Sequence, residues 1–218
     1  DAQNARTNAV LRSIPGREPL RRRLSTLLRA SSSVGCTTAG NQVFTLERWG
    51  GRDQAVLVSR RTDRRSTGRV LVDPAALARD PTAAVDWYHP SPDGHWLAFG
   101  LSRSGDERST LHVLDVHHAR PLRDAIPSTR AASVAWAPDG SGFAYTRYPT
   151  AGTVPAGEEE YWRKVYWHEV GQPWQDDELL WDRLPDKAAW ANVTASPDGR
   201  YLLIHLSIGW SRVDVHLL

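Results

Sequence analysis

Apolar and polar positions follow two different periods along this chain, and the change falls near residue 35. Before it, Leu20, Leu24, Leu27 and Leu28 recur at helical spacing and form one apolar stripe. Residues 1–13 and 17–29 therefore read as two short helices, separated by Pro15-Gly16, with Ser31-Ser32-Ser33 closing the second. After residue 35 the alternation is twofold. Val43, Thr45 and Glu47 interleave with Phe44, Leu46 and Arg48, and Gln54-Ala55-Val56-Leu57-Val58 and Arg69-Val70-Leu71-Val72 are β-rich runs between turn residues. Beyond that point only a brief helical turn over 74–79 interrupts a strand pattern.

That pattern contains a repeat. Ser91-Pro92-Asp93-Gly94 precedes His95-Trp96-Leu97-Ala98-Phe99-Gly100, Ala137-Pro138-Asp139-Gly140 precedes Ser141-Gly142-Phe143-Ala144-Tyr145-Thr146, and Ser196-Pro197-Asp198-Gly199 precedes Arg200-Tyr201-Leu202-Leu203-Ile204-His205. Thr38-Ala39-Gly40-Asn41 before Gln42-Val43-Phe44-Thr45-Leu46 is a degenerate copy. In each unit Pro sets φ, Asp bonds the backbone two residues on, and Gly accepts a positive φ, which makes a tight turn. Apolar alternation on both sides makes the turn a hairpin. Val85-Asp86-Trp87-Tyr88 and Ser133-Val134-Ala135-Trp136 supply the strands entering two of these turns. Thr110-Leu111-His112-Val113-Leu114-Asp115-Val116 and Lys164-Val165-Tyr166-Trp167-His168 supply strands that follow. Three or four strands in a repeat of about 50 residues is a β-propeller blade.

The expected fold is all-β: a helical segment over 1–34, then an incomplete propeller over 35–218 with blades near 36–74, 84–122, 131–183 and 190–218. A four-bladed ring would need the two termini to complete one blade together, and residues 1–30 read as helix. An unfinished larger ring fits better. It would leave two apolar blade faces uncovered, so self-association or marginal stability of the chain is expected.

Composition adds two counts to this picture. The 218 residues include no Met and 10 Trp, all after residue 48. The missing Met points to a fragment of a longer protein, and the Trp residues suit packing between blades. One cysteine, Cys36, excludes an internal disulfide framework and a Cys-rich zinc site. The net charge of +2 conceals a split: residues 1–70 hold 14 Arg and 5 acids, while 71–218 are net acidic. The clusters Arg21-Arg22-Arg23 and Arg60-Arg61 to Arg64-Arg65 fit a helix face and a loop in contact with water, and no nucleic-acid partner is expected. No apolar run approaches membrane-spanning length, so no membrane partner is expected either.

Several longer strings are more specific than the repeat. They are Arg69-Val70-Leu71-Val72-Asp73-Pro74-Ala75-Ala76-Leu77, Asp80-Pro81-Thr82-Ala83-Ala84-Val85-Asp86-Trp87-Tyr88, Pro90-Ser91-Pro92-Asp93-Gly94-His95-Trp96-Leu97-Ala98-Phe99-Gly100-Leu101-Ser102 and Ser109-Thr110-Leu111-His112-Val113-Leu114-Asp115-Val116. Later, Thr146-Arg147-Tyr148-Pro149 leads through an acidic stretch to Lys164-Val165-Tyr166-Trp167-His168. In this order, and with the opening Gln3-Asn4-Ala5 and the two helices, they resemble the N-terminal part of the prolyl oligopeptidase family of serine peptidases, over roughly residues 2–217. The resemblance implies a seven-bladed propeller capping a C-terminal α/β-hydrolase domain with a Ser/Asp/His triad. It also implies an endopeptidase that cleaves short peptides after proline, the propeller limiting entry. This chain would hold the helices and about half of the propeller, with the hydrolase domain absent, and would be inactive alone. A non-catalytic propeller scaffold, and a related dipeptidyl or acylaminoacyl exopeptidase, are the alternatives.

No residue is assigned a catalytic, cofactor-binding or metal-binding role, and no cofactor is expected. Ser211, in Gly209-Trp210-Ser211-Arg212-Val213, lacks the second Gly of a nucleophile elbow, and a strand rather than a helix follows it. His117-His118 are adjacent, so on a strand their side chains would diverge, they lack a spaced ligand set, and they fall where the family has a polar hairpin turn, so they read as surface turn residues. Glu158-Glu159-Glu160 and Asp176-Asp177-Glu178 read as solvated loops, and Cys36 has no neighbour that would activate a thiol. The implied partners are an oligopeptide substrate, the hydrolase domain and the remaining blades. The low cysteine content suits the cytoplasm.

Overall fold

The computed structural model describes residues 1–63 and 67–218. Helix α1 (Ala2–Ser13) and helix α2 (Arg17–Leu28) come first, parted by Gly16 at φ 83°. Neither buries a residue, and the stripe of Leu20, Leu24, Leu27 and Leu28 lies exposed. The strands begin at Ser32, ahead of the change in period.

Four antiparallel meanders follow. The first sheet is β1 (Ser32–Ala39), β2 (Gln42–Arg48), β3 (Val56–Arg61) and β4 (Arg69–Val72); the second is β5 (Ala84–Pro90), β6 (Trp96–Ser102), β7 (Thr110–Asp115) and β8 (Arg120–Ile126). The third is β9 (Val134–Trp136), β10 (Gly142–Arg147), β11 (Lys164–Glu169) and β12 (Glu178–Trp181). The fourth has three strands: β13 (Trp190–Ala195), β14 (Leu202–Ile208) and β15 (Arg212–Leu217). Within each sheet the strands pair in chain order, as in a propeller blade. The helical turn expected over 74–79 is α3 (Pro74–Ala78). It starts because Pro74 opens the helix and the Asp73 carboxylate accepts from the Ala76 N–H, and it stops where Arg79 turns left-handed at φ 53°.

The core lies between the sheets, because both faces of the middle strands are covered. Leu97, Phe99 and Leu101 of β6 face the first sheet, meeting Phe44, Leu57 and Leu71, while Ala98 turns to the third sheet with Trp136, Phe143 and Tyr145. Strand β10 repeats the division one blade on: Phe143 and Tyr145 point back, and Ala144 points forward to Ile204 and Leu206. This twofold alternation explains why β6 and β10 are apolar almost without a break, as strands buried on both faces are.

The three Pro-Asp-Gly turns form as the residues require. Asp93 Oδ1 accepts from the His95 N–H at 2.9 Å, Asp139 Oδ1 from the Ser141 N–H at 3.0 Å, and Asp198 Oδ1 from the Arg200 N–H at 3.2 Å. Gly94, Gly140 and Gly199 sit at φ 74°, 71° and 70°.

The tryptophans divide. Trp136 and Trp181 are buried, and Trp87, Trp96, Trp167 and Trp174 pack against the seams. Trp210 is a correction to the expectation of blade packing. It stands fully exposed in the turn between β14 and β15, where nothing faces it. Among the described residues no helix is long and apolar enough to cross a membrane.

Candidate functional site

The first strands of the four sheets, β1, β5, β9 and β13, converge on one cleft of about 410 Å³. Its walls are Thr37, Thr38, His89, Val134, Trp136 and Thr194, and Pro92, Pro138 and Pro197 from the three Pro-Asp-Gly turns stand at its rim. The lining includes no acid, Lys or Arg. His89 is its one titratable group, and burial holds that imidazole below its ordinary pKa. The cleft is therefore an uncharged, proline-rimmed opening, suited to a peptide backbone and apolar side chains rather than to a charged ligand.

Hydrogen bonds between neighbouring blades hold these strands in place. The Tyr88 hydroxyl donates to the Phe44 carbonyl at 2.9 Å, tying the second blade to the first. Trp87 Nε1 donates to the Thr129 carbonyl at 3.1 Å, fixing the connection that leads into the third blade. Ser133 Oγ donates to the Val193 carbonyl at 3.0 Å and accepts the Val193 N–H at 3.1 Å, tying the third blade to the fourth. The turns interlock as well: the Gly40 N–H donates to the Pro92 carbonyl at 2.9 Å.

Two buried polar groups in the seams were not singled out in the sequence. Arg163 is 1% exposed and has no carboxylate partner among the described residues. It donates to the Ala131 carbonyl at 2.8 Å and to Thr146 Oγ1 at 2.6 Å, and its guanidinium lies 4.2 Å from the Trp190 ring centroid. Burial without a counter-charge pulls its pKa down to about 10. Between the second and third blades, the fully buried His168 ring meets Asp124 Oδ1 at 2.9 Å and Asp177 Oδ1 at 2.7 Å. Tyr145 donates its hydroxyl to Asp177 Oδ2 at 2.7 Å. The sequence offered no clear signal: β8 carries Arg120 and Arg123 beside Asp124, and β11 carries Lys164 and Glu169 beside His168.

The residues weighed for chemistry fall elsewhere. Ser211 lies exposed in the β14–β15 turn. His117 and His118 lie in the turn between β7 and β8, and His118 Nδ1 sits 2.7 Å from Asp115 Oδ2. Among the described residues no group of three or more His, Cys, Asp or Glu side chains could hold a metal ion. Cys36 is exposed on β1.

The acidic runs are not simply solvated. Glu158 binds Lys187 Nζ at 2.7 Å and accepts from Trp162 Nε1 at 2.7 Å, Glu160 pairs with Arg108 at 3.0 Å, and Glu159 accepts the Gly157 N–H at 2.9 Å. In the second run Asp177 turns its carboxylate inward against His168, and all three acids border an outer cleft. The donors to Glu158 and Glu160 are ones that sequence spacing does not reveal, since Lys187 and Arg108 come from other segments of the chain.

Of the basic clusters, Arg21 pairs with Glu18 on α2, Arg60 with Glu47 on β2, and Arg61 with Asp63. Arg64 and Arg65 lie outside the described residues.

Comparison with known proteins places this arrangement. The chain matches the family described as "Prolyl oligopeptidase, N-terminal beta-propeller domain" over residues 1–218. It is 31% identical over 167 residues to prolyl oligopeptidase A of Galerina marginata, covering 69% of this chain and 23% of that relative. A solved structure from work on two prolyl endopeptidases superposes with a TM-score of 0.89 at 28% identity, over 99% of this chain and 32% of that one. Prolyl oligopeptidase B from Galerina marginata, bound to a 35mer hydrolysis and macrocyclization substrate, has the same fold, with a TM-score of 0.78 at 20% identity over 92% of this chain and 31% of that one. This chain thus spans about a quarter of the length of the curated relative and about a third of the solved ones. It belongs to the prolyl oligopeptidase family, as the N-terminal β-propeller domain.

Proposed function

We propose that the chain is the access-controlling part of a serine endopeptidase that cleaves short peptides after proline. In this reading α1 and α2 form a leading helical segment, the chain from Ser32 onward forms part of the propeller, and chemistry belongs to an α/β-hydrolase domain of the whole protein. The observation that carries the reading is the superposition of 99% of the chain on a prolyl endopeptidase at 28% identity. The uncharged cleft where the first strands converge supports it, since its lining of Thr, Val, Trp and Pro side chains carries no charge that would compete with a peptide backbone. The single cysteine suits operation in a reducing compartment, the cytoplasm.

The test compares two proteins on prolyl peptides of increasing length. The 218-residue chain alone is expected to hydrolyse none of them. The whole protein is expected to cleave short ones and to spare long ones. Hydrolysis by the isolated chain that disappears in Ser211→Ala would overturn the reading. So would a coding sequence beyond Leu218 that lacks a Gly-x-Ser-x-Gly followed by Asp and His, an outcome that favours a scaffold.

A further inference from the structure

The seam between the second and third blades contains a buried Asp–His–Asp arrangement that access control does not use. Strand β8 brings Asp124 from one blade; β11 and the turn after it bring His168 and Asp177 from the next. Both nitrogens of the His168 ring face a carboxylate oxygen, at 2.9 and 2.7 Å. A neutral imidazole has one N–H and can donate to only one of them; an imidazolium donates to both. Asp124 Oδ1 also accepts the Gly171 N–H at 2.6 Å, so the same carboxylate holds the turn leading toward Asp177. Asp124 Oδ2 is buried and has no partner among the described residues, which leaves the second-blade side dependent on His168 and Gly171.

We propose that Asp124, His168 and Asp177 form a proton-operated latch on this seam, closed while His168 carries both ring protons and released when it loses one. Loss of one proton leaves a buried carboxylate facing a nitrogen lone pair, and the seam must then admit water. Burial opposes the charge on His168, but the hydrogen bonds its ring donates to Asp124 and Asp177 outweigh it and raise the imidazole pKa to about 9.

The other groups around the ring do not compensate for the lost proton. His112 on β7 is held below its ordinary pKa by burial. Tyr145 on β10 already donates to Asp177, and burial holds it in the phenol form. Arg147 stacks on Tyr166 and Trp174, and its charge acts on the Tyr145 hydroxyl, while it donates to neither carboxylate of the cluster. Since the pKa of His168 is raised above its ordinary 6.5, its contribution is complete below about pH 6.5 and is lost as pH rises through about 9. Asp124 is shifted the other way. Burial works against its charge, but hydrogen bonds from His168 and Gly171 prevail and lower its pKa. Its contribution is present above about pH 3.8 and is lost on acidification below that.

The test uses the 218-residue chain. Long-range proton–nitrogen NMR of the His168 ring, assigned with His168→Gln, should show both nitrogens protonated at pH 7 and a midpoint near 9. Amide exchange, expressed as protection relative to intrinsic rates, should fall at least tenfold over residues 120–126 and 169–178 between pH 8 and 10, with no matching change over 190–206. Asp177→Asn should move the ring midpoint downward by a unit or more. A neutral ring at pH 7, a midpoint unmoved in Asp177→Asn, or protection lost uniformly over all blades would overturn the latch. If His168→Gln does not fold, the wild-type ring signal followed through pH decides alone.

Discussion

The indole Nε1 of Trp136 donates a 3.0 Å hydrogen bond to the backbone carbonyl of His89, so a side chain of the third blade caps the inner strand of the second. Trp136 also packs edge-on against Phe143, with ring centroids 4.7 Å apart. The two roles separate by substitution. Trp136→Phe keeps most of the apolar body and removes the donor, with an expected loss of about 1–2 kcal/mol. Trp136→Ala also leaves a cavity and should cost about 3–5 kcal/mol. Urea unfolding of both variants checks this; a Trp136→Phe variant as stable as the wild type would mean that the N–H contributes nothing.

The interlocked turns make a second expectation. A Cβ on Gly40 would lie 2.1 Å from the Asp93 carbonyl oxygen, and one on Gly94 would lie 2.7 Å from the Ala39 carbonyl oxygen. Both glycines have positive φ, as does Gly105, where a Cβ would meet open space. Gly105→Ala should cost only the left-handed backbone strain, about 1–2 kcal/mol. Gly40→Ala adds overpacking against backbone, for a further loss of about 1–3 kcal/mol. Thermal melts of the two variants measured side by side isolate the inter-blade term.

Glu47 and Arg60 make the first blade sensitive to acid. Arg60 grips the Glu47 carboxylate, with Nη2 3.0 Å from Oε2, and that hydrogen bond lowers the Glu47 pKa to about 2 against the opposing effect of burial. A lowered carboxylate pKa contributes stability above about pH 4.5 that is lost as pH falls through about 2. Glu47→Gln should therefore cost about 2–3 kcal/mol at pH 7. The wild-type and variant stabilities should converge near pH 2. Unfolding curves at pH 7, 4.5 and 2.5 follow the gap, and a constant gap would show that charge is not its source.

Uncovered apolar surface sets the behaviour of the isolated chain. Val213, Val215 and Leu217 line one exposed face of the edge strand β15, and the α2 leucines form a second exposed stripe. Concentration-dependent self-association is expected. Light scattering after size exclusion should show species larger than a monomer, reduced in Val213→Lys/Val215→Lys. A monodisperse monomer at high concentration would contradict this.

Much of the architecture was legible along the chain because it is built from local chemistry. Pro92-Asp93-Gly94, Pro138-Asp139-Gly140 and Pro197-Asp198-Gly199 close their turns with bonds spanning two residues, and twofold alternation assigns Leu97, Phe99 and Ala98 to opposite faces. The two leading helices and the turn over 74–79 likewise follow from stripe, cap and breaker residues. The strings from Arg69 to Val116 pointed to the family for the same reason: order and spacing survive in a sequence.

What could not be read there is which polar side chains are buried, because that depends on segments distant in the chain arriving at one place. Asp177 stands in an acidic run with every local sign of a solvated loop, yet the packing of the third blade on the second puts it against His168, which in turn meets Asp124 44 positions away in sequence. Arg163 follows an acidic stretch and still finds no carboxylate among the described residues, only carbonyl and hydroxyl oxygens and the face of Trp190. Periodicity reports which way a residue points, and only the assembled blades supply what it points at. Hydrophobic alternation was therefore sufficient for the fold, whereas the charge states of the seams are set by desolvation and by partners that only folding brings together.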